Sequence, residues 1–211
     1  MTPTNLNDVW VETNANGLGG TGTWTNLIVN GDPSSPSPRH GQLAVFDATN
    51  NRMILFGGCG GECLPVLNDV WVLSNADGTT GTPTWQQLAP AGAAPAPRTW
   101  GTAVYDPGSN SLIIFGGQNG GGCVAGCTYS DTWVLSNANG LSGTPTWTQL
   151  SPTGGPPPGQ YGPSAVYDSA NDVMTVFGGA SGTTGKATNA VWTLSRANGQ
   201  GGGSVWINIV A

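Results

Sequence analysis

The chain has few charged side chains. Charged residues make up 8% of its 211 residues, with only five Lys or Arg and a formal net charge of −6, whereas a typical soluble domain has about 25%. Contacts to nucleic-acid phosphates need clustered positive charge, so the composition argues against a nucleic-acid partner. No apolar run approaches the roughly 20 residues of a membrane helix, which argues against membrane insertion.

Histidine is also scarce, since His40 is the one copy in the sequence. A Ser/His/Asp triad needs a nucleophile beside the imidazole, and nothing in the sequence places a Ser or Cys beside His40. The sequence contains no phosphate-binding loop, dinucleotide fingerprint or HExxH motif. We therefore expect no catalytic residue, no metal site and no cofactor, and the chain is predicted not to be an enzyme.

Glycine and tryptophan are abundant, with 35 and nine copies, and the tryptophans recur at a regular interval. Trp10, Trp71, Trp133 and Trp192 are 61, 62 and 59 residues apart, and each is followed 14 residues later by another tryptophan. The segments LAVFD, TAVYD and SAVYD recur with the same period, as does FGG. Self-similarity of this length indicates a propeller or a solenoid.

Each full unit is predicted to contain four strands. GQLAVFD is strand one, MILFGG strand two, NDVWVL strand three and TWQQL strand four, with Gly, Asn and Thr in the turns between them. Four antiparallel strands per repeat correspond to one blade of a β-propeller. The paired tryptophans supply apolar area for packing between neighbouring sheets.

This unit resembles the kelch repeat in the residues PRHGQLAVFD, RMILFGG, LNDVWVL and TWQQL. The shared markers are an Arg before strand one, a double glycine after strand two and spaced aromatic residues in strands three and four. The resemblance implies an all-β, kelch-type β-propeller of four-stranded antiparallel sheets. The third unit departs from it with Gln160 where the first two units have Arg39 and Arg98. Copper oxidases built on this propeller use two His ligands, which the chain does not supply.

The markers divide residues 1–211, as a single kelch-repeat region, into an outer half-blade at 7–28 and three full blades at 39–90, 98–150 and 160–208. Closed propellers usually have 4–8 blades, and three and a half blades leave sheet faces and edges exposed. We therefore expect either that the chain is part of a longer propeller or that it forms a homo-oligomer whose copies complete one another.

The cysteines form two CxxxC pairs, Cys59 with Cys63 and Cys123 with Cys127, each in the Gly-rich loop between strands two and three. An even number of cysteines in such loops favours local disulfides and a secreted, periplasmic or cell-surface location. The alternatives are a four-thiolate zinc site between adjacent blades and free thiols in the cytosol. The first ten residues, MTPTNLNDVW, do not resemble a signal peptide. They are therefore expected to begin a mature, trimmed or cytosolic chain.

Loops after strands two and four share one face of a propeller, and the resemblance implies that this face binds partners. The candidate ligand-contacting residues there are Arg39, His40, Glu62, Arg98, Trp100, Gln118, Gln160 and Tyr161. Arg39 and Arg98 also have a structural interpretation, in which they hold carbonyl groups between blades. The recurring Asp8, Asp69 and Asp131, like Asp47, Asp106 and Asp168, are interpreted as turn-capping residues.

The predicted function is a non-enzymatic binding or scaffold module that recognises a protein or a glycan through this loop face. One alternative is a structural subunit that self-assembles into a larger propeller or an extracellular assembly. Another is an accessory domain of an extracellular enzyme whose catalytic groups lie elsewhere.

Overall fold

Antiparallel β-strands make up nearly all of the regular structure in residues 5–120 and 126–210, which are the residues that this computed structural model describes. The helical segment among them is a single 3-10 turn at Gly61–Cys63. Within these two ranges, no helix has both the length and the apolar character needed to cross a membrane.

The strands pair in chain order into a series of small sheets. The first sheet, here called the half-blade, consists of β1 (Val9–Glu12) and β2 (Trp24–Ile28). Blade A contains β3 (Leu43–Asp47), β4 (Arg52–Cys59), β5 (Val66–Ser74) and β6 (Thr84–Leu88). Blade B contains β7 (Thr102–Asp106), β8 (Ser111–Phe115), β9 (Thr132–Ser136) and β10 (Thr146–Gln149). Blade C contains β12 (Ser164–Asp168), β13 (Val173–Phe177), β15 (Val191–Ser195) and β16 (Val205–Val210). A separate two-stranded sheet consists of β11 (Gln160–Tyr161) and β14 (Ala180–Ser181).

The first strands of the three blades lie next to one another, since β7 contacts both β3 and β12. Every strand pair within the blades is antiparallel, and the inner pairs keep one register, as in Leu43 opposite Phe56 and Thr102 opposite Phe115. The all-β architecture of four-stranded antiparallel sheets that the sequence predicts is confirmed.

Burial along the second strands shows which sheet faces are covered. In blade B, every residue of β8 is buried because blades A and C cover both faces of its sheet. In blade C, Met174 and Val176 of β13 are buried, whereas Phe177 is 54% exposed. Alternation of this kind is typical of a sheet with one covered face, so the far face of blade C lies open.

An aromatic pair fills each junction between full blades. The Phe56 ring of blade A packs against Trp147 of blade B with 5.2 Å between ring centroids. The Phe115 ring of blade B packs against Trp206 of blade C at 5.1 Å. Edge-on and tilted aromatic contacts at this distance stabilise by about 0.5–1.5 kcal/mol beyond the area they bury. The second tryptophan of blade B and that of blade C therefore each pack against the preceding blade.

Each of these junctions also has a polar contact. Asn139 Nδ2 of blade B donates to Asp47 Oδ2 of blade A at 3.0 Å. Asn198 Nδ2 of blade C donates to Asp106 Oδ2 of blade B at the same distance of 3.0 Å. Both carboxylates also accept hydrogen bonds from their own turns, so the Asp residues that end the first strands cap a turn and join two blades.

The long hairpins between the third and fourth strands begin with a residue in the left-handed conformation. Asn75 and Asn137 both have φ 52°, and the Asn75 amide donates to Thr82 O at 2.9 Å across the turn. Asn tolerates this conformation because its short side chain makes local hydrogen bonds. Blade C has Arg196 at this position, with φ 51° and a guanidinium that donates to Gly203 O at 3.2 Å.

Candidate functional site

The two arginines that precede the first strands are buried inside their own blades. Arg98 is fully buried, and its guanidinium contacts the two carboxylate oxygens of Asp131 at 2.6 and 2.9 Å. The same guanidinium donates to Gly116 O at 3.1 Å. Arg39 makes the equivalent contacts with Asp69 and Gly57 O. These arginines hold carbonyl groups within one blade rather than between blades, and their charges are not presented to a ligand.

Blade C lacks both members of this ion pair. Gln160 replaces the arginine and Ala190 replaces the aspartate in the same repeat. Gln160 is 5% exposed, so it also offers little surface to a ligand. The paired replacement follows from electrostatics, because a buried charge without its partner is strongly destabilising.

Local contacts lower the pKa of the paired aspartates. Burial by itself would raise the pKa of Asp131, but hydrogen bonds from Arg98, the charge of Arg98 and a hydrogen bond from Trp133 outweigh it. The same balance, with Arg39 and Trp71, lowers the pKa of Asp69. Both carboxylates are therefore ionised structural anions at neutral pH.

The loop after β4 carries a disulfide next to the single histidine. Cys59 and Cys63 are joined with 4.7 Å between their Cα atoms, so their sulfurs are not available as thiolate ligands for zinc. His40 Nε2 lies 3.4 Å from Cys59 Sγ, and His40 Nδ1 lies 3.2 Å from Asn5 Oδ1. Glu62 lies exposed at the tip of the same loop.

In the corresponding loop of blade B, Cys127 is also disulfide-bonded. Its predicted partner, Cys123, lies outside the described residues.

Three of the predicted ligand-face residues meet in one surface groove. Trp100, Gln118 and Tyr161 line this groove, which has a volume of about 570 Å³ and is completed by Phe177, Thr188 and small residues of the loop after β13. His40 is not among the lining residues, but its ring centroid lies 6.0 Å from that of Trp100. We call this the Trp100 groove.

Trp100 has an unusual backbone conformation for a large side chain. Its φ is 57°, and it occupies the repeat position that Gly41 and Gly162 occupy in blades A and C with φ 64° and 67°. The three residues form a backbone chain, in which Trp100 N donates to Gly41 O at 2.8 Å and Gly162 N donates to Trp100 O at 2.6 Å. A bulky residue in the left-handed region costs about 1–3 kcal/mol and is found at functional sites. The indole is 44% exposed, so buried packing does not account for it.

Within residues 5–120 and 126–210, Gln118 is the one buried polar residue among those that line the Trp100 groove. The residue is 8% exposed, and its side-chain Oε1 has no hydrogen-bond partner among the described residues. A buried acceptor without a partner costs about 1–3 kcal/mol, so the fold leaves this polar group unsatisfied.

The chemistry of the groove suits binding rather than proton transfer. Apart from Tyr161, its described lining contains no titratable side chain. An aromatic wall with one fixed acceptor resembles the usual composition of a binding pocket, which is mostly apolar with a few placed polar groups. Trp100 is one of the ligand-face residues predicted from the sequence, and alignment of the three repeats gives a further signal, because the other two have glycine at its position.

Comparison with known proteins gives matches over most of the chain. The family described as "KLHDC2/KLHL20/DRC7 Kelch-repeats domain" matches residues 2–139. Adagio protein 3 of Arabidopsis thaliana is 34% identical over 147 residues, which are 69% of this chain and 21% of that protein. Dynein regulatory complex subunit 7 of Chlamydomonas reinhardtii is 35% identical over 99 residues, which are 47% of this chain and 8% of that protein. The chain thus spans only a small part of these relatives.

A solved structure, "Structure of YjhT", has the same fold. It aligns with a TM-score of 0.62 at 16% sequence identity, covering 99% of this chain and 66% of the other.

Proposed function

Because this chain belongs to the kelch-repeat family, we propose that it is a non-enzymatic protein-binding module whose ligand occupies the Trp100 groove. Trp100 carries the proposal, since it keeps a large, half-exposed aromatic side chain at a backbone position that favours glycine. Rigid aromatic side chains of this kind are the commonest anchors of protein interfaces.

The partner expected in the groove is a peptide segment with an apolar side chain. The apolar group would lie against Trp100 and Tyr161, and a backbone N–H of the segment would donate to Gln118 Oε1. One relative is named as a subunit of a regulatory complex, which supports a protein partner more than a glycan.

Replacing Trp100 by glycine separates binding from stability. We expect W100G to weaken peptide binding by at least about 30-fold, because an anchor residue contributes about 2 kcal/mol or more. The free energy of unfolding should change by no more than about 1 kcal/mol, because glycine relieves the left-handed strain. Binding is measured by fluorescence titration with peptides selected from a random display library, and stability by urea unfolding.

Two further variants sharpen this test. Q118M keeps the side-chain volume but removes the acceptor, and is expected to weaken binding about tenfold. Leu141→Ala, which removes an apolar side chain that is 52% exposed on the blade B hairpin, serves as the control and should bind normally. Unchanged affinity in W100G, or selective binding of a glycan array in place of peptides, would contradict the proposal.

We also propose that the chain works in an oxidising compartment, outside the cell or on its surface. The Cys59–Cys63 disulfide supports this, because such bonds persist mainly in secreted and cell-surface proteins. Protein purified without reductant and denatured in guanidinium should show no free thiol by Ellman titration. Recovery of all four cysteines as thiols would contradict both the disulfides and this location.

A further inference from the structure

The two ends of the blade series carry complementary halves of the same junction. Inside the chain, the junctions A–B and B–C repeat one set of contacts, in which a later blade packs on the face of an earlier one. The open face of blade C carries the residues that the earlier blade contributes to a junction. The half-blade carries the residues that the later blade contributes. Three contacts can be followed from the occupied junctions to these two ends.

The first contact is aromatic. Phe56 and Phe115 each receive the second tryptophan of the next repeat, Trp147 and Trp206. The equivalent residue of blade C is Phe177, which is 54% exposed. The equivalent tryptophan of the half-blade is Trp24, which is 61% exposed.

The second contact is between a hairpin glycine and an aliphatic side chain. A Cβ at Gly140 would lie 2.9 Å from Leu88 Cδ2, and one at Gly199 would lie 3.0 Å from Leu150 Cδ2, so both glycines pack closely on the preceding blade. At the equivalent glycine of the half-blade, Gly17, no atom of residues 5–120 or 126–210, other than those of Gly17 and its two neighbours in the chain, lies within 4 Å of that position. Blade C has Ile209 at the position of the leucines, and it is 57% exposed.

The third contact is polar. Asp47 and Asp106, which accept from Asn139 and Asn198 of the next blade, are 1% and 4% exposed. Asp168 ends the first strand of blade C in the same way, but it lies exposed, and the hydrogen bonds that it accepts within the described part of the chain come from its own turn.

The half-blade offers the matching donor. Asn16 is also exposed, and its Oδ1 accepts from Leu18 N at 3.0 Å, just as Asn139 Oδ1 accepts from Leu141 N at 3.1 Å. This turn leaves the Asn16 amide oriented like the amide that reaches the neighbouring Asp in the occupied junctions.

We propose that the half-blade of one copy of this chain packs on the open face of blade C of a second copy, in the same arrangement as the internal junctions. Trp24 would meet Phe177, Gly17 would meet Ile209, and Asn16 would donate to Asp168. A second copy is the occupant we favour because the chain itself carries both halves of the junction, and the contact continues an interface already formed twice. The association is head-to-tail, so it ends in a closed ring or continues as a chain of copies.

An exchange of the polar pair tests the arrangement. Asn16→Asp places two carboxylates together and is expected to weaken association at least about tenfold, because like charges at an interface are costly. The turn itself tolerates Asp, since Asp77 takes this place in blade A and accepts from Thr79 N at 2.9 Å. Adding Asp168→Asn to the same chain should restore association. Dissociation constants come from analytical ultracentrifugation of the 211-residue chain over a concentration series.

A mixing experiment distinguishes head-to-tail association from a symmetric dimer. Ile209→Asp blocks the blade C face, and Trp24→Asp blocks the half-blade, so each variant alone should have the mass of a single chain. An equimolar mixture of the two should form a one-to-one pair through the remaining intact surfaces. Leu141→Asp, which changes an exposed hairpin residue of blade B, is the matched control and should associate like the unmodified chain.

Several outcomes would overturn the proposal. These are an unmodified chain that keeps the mass of one copy at all concentrations, an N16D variant that associates normally, and blocked variants that fail to pair when mixed. If the chain has the mass of one copy at all concentrations, the open face of blade C would instead be expected to bind a following segment of a longer chain.

Discussion

An R98Q variant is expected to lose about 3 kcal/mol of unfolding free energy, because Asp131 would keep its charge without the guanidinium that it contacts through both oxygens. Adding D131A reproduces the Gln160 and Ala190 combination of blade C, and should recover more than half of that loss. The measurement is urea unfolding of the two single variants and the double variant, analysed as a double-mutant cycle.

Arg52 provides the control for this cycle. Its guanidinium donates to Asn139 O at 3.0 Å across a junction and has no carboxylate partner among the described residues. Arg52→Gln should therefore cost less than about 1 kcal/mol. If the losses of unfolding free energy from R98Q and D131A were additive, the two side chains would stabilise the fold independently, which would contradict the prediction.

The same pair gives a pH dependence of defined sign. The pKa of Asp131 is lowered below its ordinary value of 3.8 in the folded chain. A group with a depressed folded pKa contributes stability above its unfolded pKa and loses it as the pH falls towards the folded value. The unmodified chain should therefore lose stability below about pH 4, and the R98Q/D131A variant should have a shallower dependence in that window.

Trp206→Ala is expected to cost about 3–5 kcal/mol, because it empties the junction between blades B and C. Trp206 is 1% exposed and packs on Phe115. The same substitution at Trp24, which is 61% exposed, should cost less than about 0.5 kcal/mol when measured at a low protein concentration. Equal losses at the two positions would contradict the different packing of these repeat-equivalent residues.

The fold was predictable because each repeat states the same pattern again. The alternation of LAVFD and TAVYD, the FGG segments and the two tryptophans locate the four strands of each blade, whereas the short pair β11 and β14 was not predicted. A single short apolar segment does not distinguish a strand from a helix, but the recurrence of the same pattern in three copies does.

The site was only partly predictable, because residues that contact a ligand and residues that stabilise the fold are of the same types. Arg39 and Arg98 precede the first strands, and from the sequence they are interpreted either as ligand contacts or as structural residues that hold carbonyl groups between blades. Their burial depends on Asp69 and Asp131, which lie about 30 residues later in sequence and reach them only through the strand order. Trp100 was identifiable as a candidate from the sequence, but its left-handed backbone conformation is seen only in the folded chain.

The identical junctions have an evolutionary consequence. Because Asp–Asn, Phe–Trp and Leu–Gly contacts join A to B and B to C alike, a gene that gained or lost one whole unit by unequal crossing-over would still encode matching neighbours. Such proteins can change the number of their blades in a single genetic event, without first accumulating compensating substitutions.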